Sequence, residues 1–333
     1  MAKNKQVLFA SRPHGWVQES NFKIVEAEIP ALKEGEILVK NLYLSLDPYM
    51  RGRMSTAKSY ASGMELNDVM IGGTVGVVVD SKNPDFKADD HVLGYLGWQE
   101  YGISNGKGLN KVNVSERVPA SSYLGVLGMP GLTAWVGLIG IGKPQAGETV
   151  VVSAASGAVG SVVGQLAKAH GCRAVGIAGG KAKCDYVVNE LGFDACVDYK
   201  AGHLAEDLTA ATPDGIDVNF ENVGGEIMDT VFTRLNPFAR MPLCGFVSQY
   251  NSTEPYGIKN FGALLGSRVK LQGFIVGEHT DLWPQAMQEL SQLVAAGKLK
   301  YRESVADGLD NAPKAFIGML KGENFGKQLV KIS

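Results

Sequence analysis

The chain has 333 residues, of which 45% are hydrophobic and 20% charged, and its formal net charge is −2 at neutral pH. This length exceeds one ordinary hydrophobic core and predicts two domains, and the composition is that of a globular protein. The small net charge gives no electrostatic reason to expect nucleic acid or an anionic membrane as a partner, so we expect a small-molecule ligand.

The start of the chain carries no targeting signal that can be recognised from composition. Met1–Lys5 is not followed by a long apolar run, and no segment approaches the roughly 20 apolar residues of a membrane-spanning helix. We therefore expect a cytoplasmic protein. The cysteines form no close C-x-x-C pair and are expected to be buried reduced thiols. They are Cys172, Cys184, Cys196 and Cys244.

From Lys5 to about Val114 the chain consists of short β-branched or alternating runs separated by Gly, Pro, Asn and Asp. The runs are Gln6–Phe9, Phe22–Ala27, Glu36–Tyr43, Thr74–Val79 and His91–Leu96. Because no long helical pattern lies between them, they predict a compact antiparallel or barrel-like β domain.

Near Pro119 the pattern changes to an alternation of strands and helices, preceded by a helix-like stretch from Ser121 to Gly140. The predicted strands are Thr149–Ser153, Arg173–Ile177, Ala195–Asp198, Asp217–Phe220, Arg240–Cys244 and Lys270–Phe274. The predicted helices are Ala158–His170, Lys181–Leu191, Leu204–Ala211, Ile227–Leu235, Gly262–Ser267 and Leu282–Ala296. Such an alternation predicts a parallel sheet covered on both faces. The last segments are short enough to return to the β domain; they are Tyr301–Val305, Ala312–Leu320 and Lys327–Ile332.

The stretch Val150–Gly164 is the most informative local pattern. It predicts a buried strand, a small-residue turn and a helix start, with Ala155, Gly157 and Gly160 at the three positions of G-x-G-x-x-G. Small residues there let the backbone approach a pyrophosphate at the helix N-terminus. Alone the pattern is weak, because alanine replaces the first glycine and a helix-packing cluster among the 42 glycines would look similar.

The residues after the predicted strand Arg173–Ile177 indicate whether the cofactor is NAD or NADP. No Asp or Glu follows Ile177 at the place where an NAD site accepts hydrogen bonds from ribose hydroxyls. Gly179 and Gly180 instead leave room for an adenosine 2′-phosphate, and Lys181 and Lys183 supply positive charge. We predict NADP as the cofactor. The alternative is that these lysines merely lie on an exposed helix start.

Several motifs occur in a fixed order along essentially the whole chain: Asp47–Met54, Gly128–Ala134, Ala154–Ser161, Glu221–Gly225, Cys244–Asn251, Gln272–Phe274 and Gly322–Lys327. Together they resemble the medium-chain dehydrogenase/reductase superfamily. The resemblance is greater to its zinc-independent, NADP-dependent branch, which contains prostaglandin reductases, plant alkenal double-bond reductases and bacterial curcumin-reductase-like enzymes. The resemblance implies an α/β fold with a GroES-like β barrel over 1–120, completed by 297–333, and a doubly wound Rossmann domain over 121–296. It also implies a homodimer, in which the exposed edge at Lys270–Val276 would pair across a two-fold axis.

The resemblance also implies which residues contact the cofactor. At the pyrophosphate they would be Ala158, Val159, Gly160 and Ser161, and at the 2′-phosphate Lys183 and Tyr199. Asn222 would lie near the ribose and the pyrophosphate. The nicotinamide half would be lined by Cys244, Gly245, Phe246, Val247, Ser248, Gln249, Tyr250, Phe274, Ile275, Val276 and Asn324. Each has an ordinary alternative, since Tyr199, Asn222 and Asn324 are also typical strand-end, turn and loop-cap residues.

A zinc site is not expected. Zinc-dependent members of the superfamily need Cys or His ligands early in the β domain and a Gly-His-Glu motif shortly after, whereas this chain has Asp47 and Ile71–Gly76. The first 171 residues contain no cysteine, and the histidines are scattered. Without a Lewis acid, reduction of an activated carbon–carbon double bond fits better than reduction of a simple aldehyde.

The proposed chemistry is hydride transfer to the β carbon of an α,β-unsaturated ketone or aldehyde. The enolate oxygen then needs a hydrogen-bond donor, and the candidates are Tyr49 and Tyr250, whose phenols remain protonated at neutral pH. A packed aromatic at Tyr49 and a purely cofactor-facing Tyr250 are the alternatives. In several relatives a tyrosine lies eight residues before the Phe of Gln-Gly-Phe, and here that position is Gly266.

Two other functions remain open at this stage. A quinone oxidoreductase would share the NADPH site and equally lack zinc, although the motif Asp47–Met54 favours the alkenal reductases. A protein that binds NADPH without significant turnover is the alternative that Gly266 favours.

Overall fold

A strand-rich beginning and a strand–helix alternation both appear in the computed structural model, which describes residues 3–333. These residues divide into two units. The first runs to Gly125 and resumes over Glu303–Ser333, and the second is Val126–Arg302. The predicted α/β class, with a parallel sheet and a separate β-rich unit, is confirmed.

The bounds of the elements are as follows. The strands are β1 (Lys3–Phe9), β2 (Phe22–Glu28), β3 (Ile37–Ser45), β4 (Thr74–Ser81), β5 (His91–Gly94), β6 (Tyr101–Ser104), β7 (Asn110–Lys111), β8 (Thr149–Ser153), β9 (Arg173–Ala178), β10 (Ala195–Asp198), β11 (Ile216–Phe220), β12 (Leu235–Leu243), β13 (Lys270–Gly273), β14 (Glu303–Asp307) and β15 (Lys327–Lys331). The α-helices are α1 (Tyr49–Arg53), α2 (Met129–Trp135), α3 (Gly160–Ala169), α4 (Lys181–Asn189), α5 (Leu204–Ala211), α6 (Gly225–Phe232), α7 (Gly262–Gly266), α8 (Trp283–Ala295) and α9 (Ala312–Leu320).

The sheet of the first unit is mostly antiparallel and includes the C-terminal segment. Its strand order is β14-β15-β3-β4-β5-β7, with β6 also pairing with β3, and β1 pairs with β2 separately. Strand β15 pairs antiparallel with the end of β3 and parallel with β14. Asp47 and Pro48 lie in the connection from β3 to the short helix α1. Met50 of this helix is fully buried in the core of the unit.

The second unit contains a parallel sheet of order β10-β9-β8-β11-β12-β13. This is the doubly wound strand order. From β8 the strands are added first on one side, to β10, and then on the other, from β11 to β13. Ligands bind at the carboxyl ends of the strands, beside the point between β8 and β11 where the order reverses. All five residues of β8 are buried. A strand buried on both faces is expected to be a continuous apolar run, as Val150, Val151 and Val152 are.

Two predicted elements differ from the structure for local reasons. The helix predicted from Ser121 to Gly140 is broken: a 3₁₀ turn at Ala120–Leu124 precedes α2, which starts next to Pro130 and continues as a π-helical turn at Val136–Gly142. Proline is accepted in a first helical turn because its missing N–H needs no partner there. The helix predicted to reach Leu235 ends at Phe232, because Leu235 already begins β12.

The strand predicted at Arg240–Cys244 begins earlier in the structure, where β12 spans Leu235–Leu243. The added part contains a bulge and a proline, which are not typical of a strand in the sequence. Leu235 pairs with Ile216 and Arg240 with Val218, so the intervening residues of β12 are accommodated in an irregularity of the ladder. Phe238 within it has a φ of 66°, in the left-handed region. Pro237 and this backbone conformation both argue against a strand when only the sequence is read.

The unit boundaries are explained by particular contacts. Ala120 and Leu124 pack in the first unit against Val75 and Leu329. Residues 297–302 stay with the second unit, where the Gln165 side chain donates to the Lys300 carbonyl at 2.8 Å and accepts from the Lys300 N–H at 2.8 Å. Within residues 3–333 no helix is long and apolar enough to cross a membrane.

Candidate functional site

The turn after β8 has the shape needed to receive an anion at the start of α3. The Gly157 N–H donates to the Ala154 carbonyl at 2.9 Å, and Ala154 has a φ of 53°. A β carbon on Gly160 would lie 2.3 Å from that same carbonyl oxygen, so only glycine fits there. Because the first N–H groups of a helix have no helical partners, residues 158–160 present donors to a phosphate, whereas the Ser161 N–H already donates to the Gly157 carbonyl at 3.0 Å.

The alanine in place of the first glycine is explained by its neighbour on β9. Ala155 is fully buried, and its N–H donates to the Ile177 carbonyl at 3.0 Å. Its methyl group lies only 2.7 Å from the point where Gly176 would place a β carbon. The missing side chain of Gly176 therefore provides the space that Ala155 occupies, and the turn keeps its path.

Two lysines, Lys183 and Lys200, lie close to each other near Gly179, which follows the end of β9. A β carbon on Gly179 would lie 2.8 Å from a ring carbon of Tyr199 and 3.0 Å from Cε of Lys200. Lys183 is half-buried, and burial, followed by the charge of Lys200, lowers the pKa of its ammonium. A bound dianion would offset both effects. Lys181, in contrast, is 85% exposed and pairs with Asp185 at 2.6 Å.

Lys200 was missed by sequence reasoning, and so was the carboxylate that organises this edge. Asp198 Oδ1 accepts hydrogen bonds from the N–H groups of Gly180 at 2.7 Å and Lys200 at 3.0 Å. It therefore fixes the glycine turn that precedes α4. The only hint in the sequence was the adjacency of Lys200 to Tyr199, since Asp198 lies on a different strand from the turn it binds.

The central feature of the site is Glu221, at the end of β11, with no exposed surface. Its Oε1 accepts from the Ser153 hydroxyl at 2.8 Å and from the N–H groups of Val223 at 2.7 Å and Gly224 at 2.8 Å. Its Oε2 accepts from the Asn219 amide at 3.0 Å. Burial nevertheless raises the pKa of Glu221, because removing a carboxylate from water outweighs these donors.

Asn222 is held in place by the same network. Its N–H donates to the Ser153 hydroxyl at 2.8 Å, and its side-chain amide donates to the Ser153 carbonyl at 2.8 Å. Ser153 ends β8 and Asn222 follows β11, so these bonds connect the carboxyl ends of the two adjacent strands between which the strand order reverses. Asn222, which is proposed to lie near the ribose and the pyrophosphate, is therefore anchored to Ser153 by two hydrogen bonds.

Replacing Glu221 by glutamine is expected to change the pH dependence of stability. A carboxyl whose folded pKa is raised stabilises the fold below its unfolded pKa and loses that contribution as the pH rises through the folded value. The free energy of unfolding of Glu221→Gln, relative to the unaltered protein, should therefore be higher at pH 8 than at pH 5. Urea unfolding at both pH values measures this difference.

The glutamine should fit because Asn219 Oδ1 is buried and has no hydrogen-bond partner among residues 3–333. A flipped Asn219 amide would accept from the new amide group, and the three bonds to the retained oxygen would persist. Glu221→Ala is the control, since it leaves buried donors unpaired and should destabilise by about 3 kcal/mol or more. An identical pH dependence in Glu221→Gln and the unaltered protein would contradict the prediction.

The segment 244–250 folds back onto the turn that follows β11. The Cys244 N–H donates to the Glu221 carbonyl at 2.9 Å, and the Val247 N–H donates to the Asn222 carbonyl at 3.1 Å. Burial and the nearby Glu221 raise the pKa of Cys244 to about 12, so this thiol stays protonated. The Tyr250 hydroxyl accepts from the Phe246 N–H at 3.3 Å, which turns Tyr250 toward its own segment.

The remaining residues predicted for the nicotinamide half fall in both units. Phe274 is buried and packs edge-to-face on Phe220, at the ends of β13 and β11. Ile275 and Val276 follow it, and the Val276 carbonyl accepts from the Trp283 indole at 3.1 Å. Asn324 belongs to the first unit, where its amide donates to the Gly326 carbonyl at 2.8 Å.

Tyr49 lies on α1 in the first unit. Its hydroxyl is buried and has no hydrogen-bond partner among the residues from 3 to 333. Burial, and then the neighbouring Asp47 carboxylate, raise the pKa of this phenol, so it remains a donor. A buried donor without an acceptor costs free energy, and such groups in folded proteins call for an explanation such as a ligand.

Asp47 itself is committed to an internal ion pair. Lys327 Nζ lies 2.9 Å from Asp47 Oδ1 and 2.6 Å from the Leu46 carbonyl oxygen, and the Ser45 hydroxyl donates to the other carboxylate oxygen. Both charged side chains are at most 7% exposed. No group of three or more His, Cys, Asp or Glu side chains within residues 3–333 is arranged to hold a metal ion.

The chain is similar to two protein families and to several known reductases. A model described as "N-terminal domain of oxidoreductase" matches residues 5–112, and one described as "Zinc-binding dehydrogenase" matches residues 158–292. The "NADPH-dependent curcumin reductase" of Escherichia coli is 48% identical, covering 99% of this chain and 97% of its own. The "2-alkenal reductase (NADP(+)-dependent)" of Nicotiana tabacum is 42% identical, covering 99% and 98%. The crystal structure of CurA in complex with NADPH from Vibrio vulnificus has a TM-score of 0.94 and 47% identity, covering 100% of this chain and 99% of that one.

Proposed function

This chain belongs to the zinc-independent, NADP-dependent branch of the medium-chain dehydrogenase/reductase superfamily, and on that premise we propose that it reduces the carbon–carbon double bond of α,β-unsaturated ketones and aldehydes. It is an oxidoreductase with NADP as cofactor. The double-bond specificity is supported by the names of its relatives, a curcumin reductase and an alkenal reductase.

The second unit has residues that fit the pyrophosphate and the 2′-phosphate of NADPH. The turn before α3 would receive the pyrophosphate at the helix N-terminus, and its tight path requires glycine at 160, where a side chain would collide with the Ala154 carbonyl. Tyr199 and Lys200 lie against Gly179, Lys183 is close enough to Lys200 for that charge to lower its pKa, and the three side chains would hold the 2′-phosphate. When bound, the cofactor supplies a hydride.

The observation that carries the proposed reaction is the buried, unsatisfied hydroxyl of Tyr49. Hydride addition at the β carbon of an enone puts negative charge on the carbonyl oxygen, and a pre-positioned donor stabilises that charge. Tyr49 has the donor, stays protonated, and has no acceptor of its own within residues 3–333. We assign it the role of donor to the substrate oxygen.

Tyr250 is the weaker of the two candidates. Its hydroxyl already contacts the Phe246 N–H and lies 3.0 Å from the point where Gly245 would place a β carbon. We infer that Tyr250 shapes the segment 244–250 against the cofactor and contributes less to stabilising the substrate oxygen.

NADPH oxidation with a panel of substrates tests the proposal. We expect alkenals and enones to be reduced faster than quinones, and saturated aldehydes not at all. With NADPH deuterated at the transferred position, mass and NMR spectra of the product should place deuterium on the β carbon. Faster turnover of quinones than of every enone, or deuterium on the carbonyl carbon, would refute the assignment.

Activity is expected to be independent of a bound metal. In the early region of the β domain, where zinc-dependent relatives carry Cys or His ligands, this chain has Asp47, whose carboxylate is bound by Lys327. Prolonged chelator treatment should leave kcat for an enone unchanged, and elemental analysis checks the treated sample. Stoichiometric zinc whose removal abolishes turnover would contradict this.

We also propose a homodimer built on the outer edge of the parallel sheet. Strand β13 lies at that edge, and Leu271 within it is 39% exposed. An exposed strand edge is a template for pairing with a second chain. Light scattering at micromolar concentration should give twice the chain mass, and the mass of a single chain would argue against pairing.

A further inference from the structure

Two of the four cysteines lie against each other beside Lys183. Cys184 is on the first turn of α4 and Cys196 is in β10, and their thiols hydrogen-bond to one another. Both are free thiols. Within residues 3–333, neither Cys172 nor Cys244 has such a partner: the Cys172 thiol donates to the Gln145 carbonyl at 3.3 Å, and Cys244 lies beside Glu221.

The contact between the two thiols follows from the packing of α4 on the sheet. Cys196 pairs in register with Gly176, and a β carbon on Gly176 would lie 3.3 Å from Cys196 Sγ and 2.9 Å from Val187 Cγ1. Val187 is three residues after Cys184 and therefore shares its face of the helix. The missing side chain of Gly176 leaves the space in which the helix face and the strand thiol meet.

The two thiols are chemically unequal. The hydrogen bond between them lowers the pKa of Cys184 and raises the pKa of Cys196. Cys184 also lies on the first turn of α4, where the positive end of the helix dipole favours a thiolate, so we assign Cys184 as the nucleophile and Cys196 as the resolving thiol. A reactive cysteine next to a resolving cysteine is the arrangement found in redox-sensing pairs.

We propose that Cys184 and Cys196 form a reversible oxidation site, which hydroperoxides convert to a disulfide and which weakens NADPH binding when oxidised. Cys184 sulfur attacks the peroxide, the O–O bond breaks, and a sulfenic acid and one molecule of alcohol or water form. Cys196 sulfur then attacks Cys184, the S–O bond breaks, and water leaves. The two thiols lose two electrons and two protons in total, and the peroxide gains them.

The link to the cofactor is the position of the pair between two contacts of the 2′-phosphate turn. Lys183 immediately precedes Cys184, and Asp198, which holds the Gly180 N–H at 2.7 Å, lies two residues after Cys196. A covalent bond pulls the first turn of α4 toward β10. Lys183 and Gly180 must move with it, so the site for the phosphate changes shape.

Peroxide treatment of the purified protein tests the proposal without any enone substrate, so its outcome is independent of the proposed reaction. Reduced protein is treated with hydrogen peroxide and then alkylated under denaturing conditions. We expect two of the four thiols to become resistant to alkylation and a peptide linking Cys184 to Cys196 to appear in mass spectra. The Kd for NADPH, measured by fluorescence, should rise about threefold or more and return after dithiothreitol.

Cys184→Ser and Cys196→Ser should form no disulfide and keep their NADPH affinity after peroxide, and Cys172→Ser should behave like the unaltered protein. Four alkylatable thiols after treatment would overturn the proposal. A Cys184–Cys196 disulfide that leaves the Kd unchanged would overturn its effect on the cofactor. An equal loss of affinity in Cys184→Ser would place the oxidation elsewhere and overturn it as well.

Discussion

Replacing Tyr49 by phenylalanine is expected to lower kcat for enones by about 10²–10³, equivalent to roughly 2.7–4 kcal/mol, while NADPH affinity stays unchanged. The substitution removes the hydroxyl and keeps the ring, which packs beside the core of the first unit. Because that hydroxyl is buried without a partner among residues 3–333, its removal should also leave the protein at least as stable. Lower activity together with undiminished stability distinguishes a donor from a packing residue.

The measurement is single-turnover reduction of an enone, with a deuterated cofactor to show that hydride transfer limits the rate. Tyr123→Phe is the matched control, since its hydroxyl donates to the Asn113 carbonyl at 2.8 Å in the same unit, and we expect normal kcat. If Tyr49→Phe and Tyr250→Phe both keep near-normal kcat, the tyrosine hypothesis fails and a ribose hydroxyl or water becomes the donor. A β carbon built on Gly266 would meet no atom of residues 3–333 within 4 Å, so there is room for a side chain at this position. Gly266→Tyr added to Tyr49→Phe tests whether a tyrosine there restores kcat.

Replacing Lys183 by alanine is expected to weaken NADPH binding by about tenfold or more, roughly 1.4 kcal/mol, and to leave NADH binding nearly unchanged. Lys183 is half-buried next to Lys200, and the 2′-phosphate would compensate two ammonium groups that otherwise repel each other. Titration of cofactor fluorescence with NADPH and NADH measures both affinities.

Lys181→Ala is the matched control for this experiment. Lys181 is two residues away on the same helix turn, but it is exposed and already paired with Asp185. Its removal should change NADPH affinity little. If the unaltered protein binds the two cofactors equally well, or if Lys181→Ala and Lys183→Ala have the same effect, the proposed phosphate contact is wrong.

The sequence was sufficient to predict elements whose periodicity is local. The predicted strands at Thr149–Ser153 and Ala195–Asp198 and the predicted helix at Leu204–Ala211 have the bounds that the structure shows. In each, the apolar spacing and the flanking turn residues favour the same element. In β12 the prolines conflict with the apolar spacing, and the predicted start of the strand at Arg240 was wrong.

The contacts within the candidate site could not be predicted in the same way. Glu221 looked like one member of a turn motif, yet it binds Ser153, which is 68 positions earlier in the chain. Cys184 and Cys196 show no recognisable spacing, and they meet because Gly176 on a third element leaves room. Such pairings depend on strand order and register, which residue patterns do not determine.

The pairing of β15 with β3 has a consequence for how the protein is made. Lys327 and Asp47, 280 positions apart, form a buried ion pair. Strand β15 pairs with Tyr43–Ser45 of β3, an end that no earlier strand within residues 3–333 pairs with on that side. During synthesis from the N-terminus, all residues of the second unit leave the ribosome before this partner strand exists. The nascent first unit therefore waits with an open strand edge and an unpaired Asp47, which is the stage at which it is most exposed to aggregation and to chaperone capture.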